Sequence, residues 1–531
     1  MKKWLILGFS MLYNLFAAAQ NDAVLRAALY LSGADTAEEV TADWVEAVEH
    51  AGRVMINSPR LRSGVLLSAY QVASIREYRR FHGDILSAGE LALVDGFSAE
   101  TVAALRPFLR FDSPRLPGKA DTVRVRSTVL LRGTLKNGGM KARTEGEHWR
   151  AGAVLRHTWG GKGRDLAWGV HGEWTGSRMR LVAGDFHIRY GLGLASWSGF
   201  MLTSLSTTEA FLPRAGGVSP AWSYSPGYRG GAVEYRIGRS WNTSAYASVD
   251  GRAGGRVEWV GRHVEAGLGA HYGKGWTFSG DLRWTWKGLR LGAEAAWHGQ
   301  AFAGKAACLV KVSEVLDLAF QGRVVPSRFA DRKNGEYALA AGLKAVWPGN
   351  RLSFTAEGTL LPIPDVDPGR RQLKAYGTWQ RQFGAWWTLD VRISGRYRNY
   401  DYARTDLRAD LKYNGTVWLG TARMEAVRCE HWGFLGYLEG GYKGVLNAYL
   451  RATVFSIPKW NDRIYVYERD AAGTFSVPAY YGEGAGVSAV AAWKHRFKGR
   501  FSLKANLRAA GLFRLRQQAG YTLNVQLQAD F

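Results

Sequence analysis

Tyr521-Thr522-Leu523-Asn524-Val525-Gln526-Leu527-Gln528-Ala529-Asp530-Phe531 carries the reading that decides the fold. Tyr521, Leu523, Val525, Leu527, Ala529 and Phe531 alternate strictly with Thr522, Asn524, Gln526, Gln528 and Asp530. A period of two puts the first set on one face of a strand and the second on the other. One apolar and one polar face over this length suit a transmembrane barrel, with lipid outside and water inside. An edge strand of a soluble sheet is the alternative. The same pattern recurs upstream. Trp276, Phe278, Gly280, Leu282, Trp284 and Trp286 oppose Thr277, Ser279, Asp281, Arg283, Thr285 and Lys287; a Lys287-Gly288 turn leads to Leu289, Leu291, Ala293, Ala295 and Trp297. Trp387, Leu389, Val391, Ile393 and Tyr397 alternate with polar residues that include Arg392, Arg396 and Arg398, and Leu407, Ala409, Leu411 and Tyr413 with Arg408, Asp410 and Lys412. A soluble sandwich rarely holds so many charges on the inner side of consecutive strands. Trp and Tyr at strand ends match aromatic belts at lipid headgroups.

The final strand, ending in an aromatic residue, resembles the C-terminal signal by which bacterial outer-membrane barrels are recognised and assembled, which implies the barrel-assembly machinery as a partner. At the other end, Lys2 and Lys3, the apolar run Trp4 to Phe16 and Ala17-Ala18-Ala19 read as a secretory signal over residues 1–19. No later stretch reaches the roughly 18 apolar residues of a membrane-crossing helix. Cys308 and Cys429 are the only cysteines, without zinc spacing, and are read as packing residues.

Residues 20–112 are helical in pattern and hold 13 Asp and Glu against 9 Lys and Arg, a net −4. Beyond them the chain holds 59 Lys and Arg against 32 Asp and Glu, a net +27. Pro114 and Pro117 mark a linker over 113–121, and the barrel is expected over 122–531. At about 10 residues per strand plus a connection, this length predicts roughly 20 to 24 antiparallel strands. The fold expected is therefore mainly β: a large antiparallel transmembrane barrel preceded by a small all-α domain. A barrel of this size leaves an aqueous channel unless filled. The segment Tyr190 to Gly227 loses the alternation and is read either as an insert into the lumen or as a long external loop.

In the N-terminal domain, Thr36 with Glu39 and Ser87 with Glu90 match capping boxes that start helices. Tyr78-Arg79-Arg80-Phe81-His82-Gly83-Asp84-Ile85-Leu86-Ser87-Ala88-Gly89-Glu90-Leu91, then Val94-Asp95-Gly96-Phe97 and Leu105-Arg106-Pro107-Phe108, resembles the tandem helix-hairpin-helix repeats of competence-type DNA receptors. That resemblance implies phosphate binding at a Gly-hydrophobic-Gly hairpin. Gly96 is present here, but Ser98 stands at the second Gly, Glu100 near the helping Lys, and Leu66-Leu67-Ser68-Ala69 at the first hairpin. Arg76, Arg79 and Arg80 form the local basic cluster and, with Gly96 and Ser98, are the candidate phosphate or docking face; the alternative is a solvated helix face. The layout is similar to helix-hairpin-helix outer-membrane proteins of Bacteroidota, through Gly184-Asp185-Phe186, Tyr190-Gly191-Leu192-Gly193-Leu194, Trp197-Ser198-Gly199-Phe200 and Tyr228-Arg229-Gly230. The similarity implies the architecture and no activity.

Arg392, Arg396, Arg398, Arg408 and Lys412 are the candidate lumen cations. They favour anion passage, or pair with acids across strands to stiffen the wall. No Gly-x-Ser-x-Gly elbow, phosphate loop or His-Glu-x2-His helix occurs, and His157, His171 and His187 fall on separate strands. No catalytic residue, metal site or cofactor is expected. The leading expectation is a non-catalytic channel or conduit in the bacterial outer membrane, its lumen basic. Its acidic periplasmic domain docks a protein partner or gates that lumen. A DNA-uptake conduit is the second reading, and a membrane-embedded lipolytic enzyme using a Ser-His pair the third.

Overall fold

The structure, a computed structural model, describes the chain apart from residues 1–22, 114–124, 160–165, 200–204, 225–226, 332–333, 364–366, 368, 445, 471–474, 497–501 and 516–518. The signal segment, nearly all of the linker and Phe200 lie outside the described residues.

Alternation becomes two faces once strands pair. In Trp276–Trp286, Trp276, Phe278, Leu282 and Trp286 are exposed on the outer surface, while Thr277 and Ser279 are buried toward the lumen. Among the described residues, 24 wall strands pair antiparallel into one closed sheet, an even count at the top of the expected range. The terminal strand makes the closure. Gly520–Asp530 pairs with Arg126–Thr134, Asn524 opposite Thr134 and Asp530 opposite Thr128. Thr128 Oγ1 donates to Asp530 Oδ1 at 2.9 Å across this seam. Closure leaves no open sheet edge, the condition that a hydrocarbon surround imposes. The first wall strand starts at Arg126, beyond the boundary at 122 drawn from turn chemistry.

The two rims differ. Connections at 146–148, 176–178, 287–288 and 348–349 are tight turns, and they share a rim with the start of the first strand and the end of the last. The opposite rim carries the long connections 190–227, 326–335, 361–370 and 458–481.

The N-terminal domain holds α1 (residues 23–32), α2 (Ala42–Ala51), α3 (Ala69–His82), α4 (Ala88–Leu91) and α5 (Ala99–Leu105) around its own core of Ala27, Leu31, Val48, Ile56, Ile75, Ile85, Leu91 and Leu105. A parallel pairing of Val54–Met55, just after α2, with Leu109–Arg110 ties the middle of the domain to its C-terminal end. Ser87 caps α4, its Oγ accepting from Glu90 N–H at 3.1 Å, as expected. Thr36 and Glu39 do not start a helix. They lie in a turn, α2 begins at Ala42 behind Thr41, and Glu39 is engaged by Arg392 instead. The full capping box is Ser68 with Gln71, at the head of α3.

Candidate functional site

The helical domain does not hang free of the barrel. The turn between α1 and α2 reaches the middle of the lumen, where its acids meet the basic wall. Glu38 Oε1 accepts from Arg423 Nη1 at 2.7 Å and from the Tyr467 N–H at 3.1 Å, and Oε2 accepts from Arg408 Nη1 at 3.1 Å. Asp410, with no exposed surface, takes the other sides of both arginines, at 2.9 Å from Arg408 Nε and 2.5 Å from Arg423 Nε. Two guanidiniums are thus shared between a wall carboxylate and a domain carboxylate. Burial works against the Glu38 charge, but Arg408 and Arg423 outweigh it and hold its carboxyl well below the usual 4.5. Glu39 pairs with Arg392, whose Nη1 also donates to Thr36 Oγ1 at 3.1 Å. Glu46 on α2 accepts from Lys141 Nζ at 2.8 Å, and Glu100 on α5 from Lys344 Nζ at 3.1 Å.

Two long-rim loops descend to meet the domain. Loop 190–227 is an insert into the lumen, the first of the two readings of that segment. Glu294 on the wall accepts from the N–H groups of Leu192, Leu194 and Ala195 at 2.5, 3.1 and 3.2 Å. Gly191 lies at φ +60° directly over this carboxylate, where a Cβ would sit 2.7 Å from Glu294 Cδ. Arg283 Nη2 donates to Gly191 O and Pro213 O, both at 2.7 Å, and Gln321 Nε2 to Phe211 O at 2.6 Å. Phe211, Leu205 and Ala210 pack on Leu309, Ala319 and Ala340 of the wall. The tip touches the helical domain: Thr207 Oγ1 donates to Gly33 O at 2.6 Å, and Gly33, at φ +75°, abuts Ala210. Loop 458–481 brings Tyr467 to Glu38 and Phe475 to the helical core.

The expected lumen cations are therefore largely paired. Arg392 and Arg408 bind the helical domain, Lys412 pairs with Asp390, and Arg398 binds Gln372 Oε1 at 2.7 Å and Asp401 at 3.1 Å. Arg396 has a buried Nε with no acceptor. The basic cluster of α3 is not brought together as one face. Arg76 turns inward to Leu61 O, Arg79 is tied to Asp84 at 2.8 Å, and Arg80 lies exposed over the Phe81 ring. Gly96 O accepts from Gln71 Nε2 at 2.9 Å, and Ser98 Oγ caps α5 through the Thr101 N–H at 3.1 Å. Sequence reasoning read Asp410 only as a wall acid able to pair with its neighbours, as it does with Arg408, and missed Glu38, Arg423 and Glu294. Only the charge contrast between the two halves of the chain pointed toward them.

Among the described residues, Ser198 Oγ lies 3.3 Å from His187 Nδ1, a Ser-His approach that bears on the lipolytic reading. The same hydroxyl accepts from Ile188 N–H at 2.7 Å and donates to Ile188 O at 3.2 Å, and among the described residues no carboxylate bonds to His187. That geometry pins loop 190–227 to the end of its own strand and lacks the orienting acid of a catalytic triad.

No protein-family model matches the chain, and no curated protein matches it. Among solved structures the chain is similar to the translocation pore of the P pilus usher PapC, at 10% identity and TM-score 0.31, covering 77% of this chain and 99% of that one. It is also similar to the siderophore receptor PirA from Pseudomonas aeruginosa, at 9% identity and TM-score 0.43, covering 77% and 81%. A third similarity is to OccK3 (OpdO) of the same organism, at 8% identity and TM-score 0.26, covering 77% and 94%.

Proposed function

We propose that this chain is a non-catalytic outer-membrane channel or conduit closed at rest by its own helical domain. The short-turn rim faces the periplasm, the usual orientation of barrels with short turns on one side and long loops on the other. The helical domain enters from there, and its outer hairpins stay available to a periplasmic protein. The observation that carries this reading is the buried cluster of Glu38, Arg408, Arg423 and Asp410. It joins a domain with an independent core to the wall by charge. Undocking would release Arg392, Arg408 and Arg423 into an open lumen, whose field would favour anionic or phosphate-bearing solutes. A DNA-uptake role draws on Arg80 alone of the α3 cluster, since Arg79 is paired with Asp84 and Arg76 turns inward to line a small cavity that no polymer enters.

The test is conductance of the full chain in planar bilayers, wild type against Glu38→Lys. The reversed charge faces two arginines, so the variant is expected to conduct with anion preference while the wild type stays closed. Equal currents from two preparations with the same heat-resistant barrel would overturn the gating reading.

A further inference from the structure

Arg62, in the segment before α3, Arg76 on α3 and Arg236 on the wall strand Tyr228–Ile237 line one cavity of about 70 Å3 between the helical domain and the short-turn rim. Each is anchored by a backbone carbonyl alone: Arg62 Nη2 to Gly176 O at 3.2 Å, Arg236 Nη2 to Ser177 O at 2.9 Å, and Arg76 Nη2 to Leu61 O. Among the described residues none of the three forms an ion pair. Two of the three acids lining the same cavity have other partners. Glu234 binds Arg180 at 3.2 Å and the Val218 N–H at 3.0 Å, and Glu258 stands 3.4 Å from Arg256; Glu265 is the remaining acid. The Nε hydrogens of Arg62 and Arg236 are buried without an acceptor. Burial, and then the neighbouring Arg236, Arg62 and Arg79, push the Arg76 guanidinium down to about 9.

Three guanidiniums with spare donors around one small cavity, two of them with buried and unsatisfied Nε hydrogens, are matched by an anion with several acceptor oxygens. Guanidinium forks match the oxygens of a tetrahedral oxyanion, each pair forming charge-assisted bonds. The volume decides how much of a ligand enters: one such group fits, and a base, a sugar or an acyl chain does not. We propose that this cavity binds a phosphate group, as inorganic phosphate or the terminal phosphate of a small phosphomonoester, between Arg62 and Arg76 of the helical domain and Arg236 of the wall. Because the ligand bridges domain and wall, its binding would also hold the channel closed, a consequence that rests on the gating reading; the binding itself does not.

The test is titration calorimetry of the full chain in detergent with inorganic phosphate at constant ionic strength. Saturable binding is expected, weakened at least tenfold in Arg236→Gln and in Arg76→Gln and unchanged in Arg80→Gln. No saturable binding, or wild-type affinity in both cavity variants, would overturn the site. Arg236→Lys, which keeps the charge, is expected to retain part of the affinity; a loss as complete as in Arg236→Gln with the heat-resistant barrel gone would mark misfolding, and the Arg76→Gln result, on the other domain, then decides. Glycerol 3-phosphate is expected to bind like phosphate. Dimethyl phosphate, a diester like those of lipids and nucleic acids, is expected to bind at least tenfold more weakly, and equal binding would overturn the phosphomonoester assignment. Phosphate binding in a protein whose conductance ignores Glu38→Lys would keep the site and remove the gate.

Discussion

Two sectors of the same wall hold lumen inserts by different dominant chemistry, and they overlap at Lys344, which pairs with Glu209 of the loop and Glu100 of the helical domain. The sector from Trp276 to Trp347 grips loop 190–227 through its backbone: Glu294, Arg283 and Gln321 satisfy peptide groups, and Phe211 packs into Ala319 and Ala340. The sector from Trp387 to Ile457 meets the helical domain through side-chain charge, with Arg392, Arg408 and Arg423 on Glu38 and Glu39. In the first sector the backbone bonds are backed by the apolar packing of Leu205, Ala210 and Phe211, which water does not replace, so the loop behaves as part of the wall. Carboxylates and guanidiniums in the second can be rehydrated, and the helical domain keeps its own core when it leaves. The contrast assigns permanence to the loop and movement to the domain.

The largest effect that would break this comparison lies in the first sector. Glu294→Ala strands the N–H groups of Leu192, Leu194 and Ala195, at about 1–3 kcal/mol per buried orphan. Loop 190–227 should become cleavable by protease and the barrel should lose heat resistance, while the pore stays closed. In the second sector, Arg423→Ala leaves Glu38 and Asp410 sharing Arg408, a loss of roughly 3–5 kcal/mol for a broken buried pair. Its signature should be the reverse: current appears and the barrel's heat resistance is retained. If Glu294→Ala conducts and Arg423→Ala does not, the assignments of fixed and moving parts must be exchanged.

A smaller effect concerns pH. His50 on α2 is buried with both ring nitrogens unpartnered, 4.8 Å from the His171 ring and 5.4 Å from Trp222, and its carbonyl faces Arg143 and Arg150. Burial, then Arg150, His171, Arg143 and Lys141, drive its imidazole well below the ordinary 6.5. A depressed folded value means that the neutral ring favours docking: its contribution is complete above 6.5 and declines as pH falls below it. The Glu38 contribution, also from a lowered value, is complete above 4.5 and is lost only further down. Burial pushes Glu46 and Asp35 up, so they favour docking as acid is added and oppose the His50 trend. Current in the wild type should therefore rise between pH 7 and pH 5 by the His50 part, and His50→Asn should abolish or reverse that slope. An unchanged slope in the variant would remove His50 from the account.

The wall was legible because each strand states its faces locally: the period of two in Trp276–Trp286 or Gly520–Asp530 needs no knowledge of the partner strand. Arg392 and Arg408 were legible as lumen cations for the same reason. Their partners in the helical domain were not. Glu38 meets Arg408 and Arg423 across hundreds of residues, and no local pattern marks such a pair. Thr36 and Glu39 fit a capping box by spacing, yet the Arg392 guanidinium takes the carboxylate that the box would use. Loop 190–227 announced itself only by losing alternation, which left its direction open until Glu294 was seen to hold it inward.

The smallest expected effect tests depth. Arg60 and Glu147 pair at 2.7 Å at the short-turn rim, with side chains 31% and 48% exposed, and they also join the helical domain to the barrel. Water competes for both groups, so exposed pairs of this kind contribute little. Arg60→Ala should leave conductance, heat resistance and the pH slope at wild-type values. A channel that opens in Arg60→Ala while Arg423→Ala remains closed would mean that the domain is fastened at its rim, and the buried arginines would then serve only to stiffen the wall, the role their pairing with Asp410 performs whether or not the domain moves.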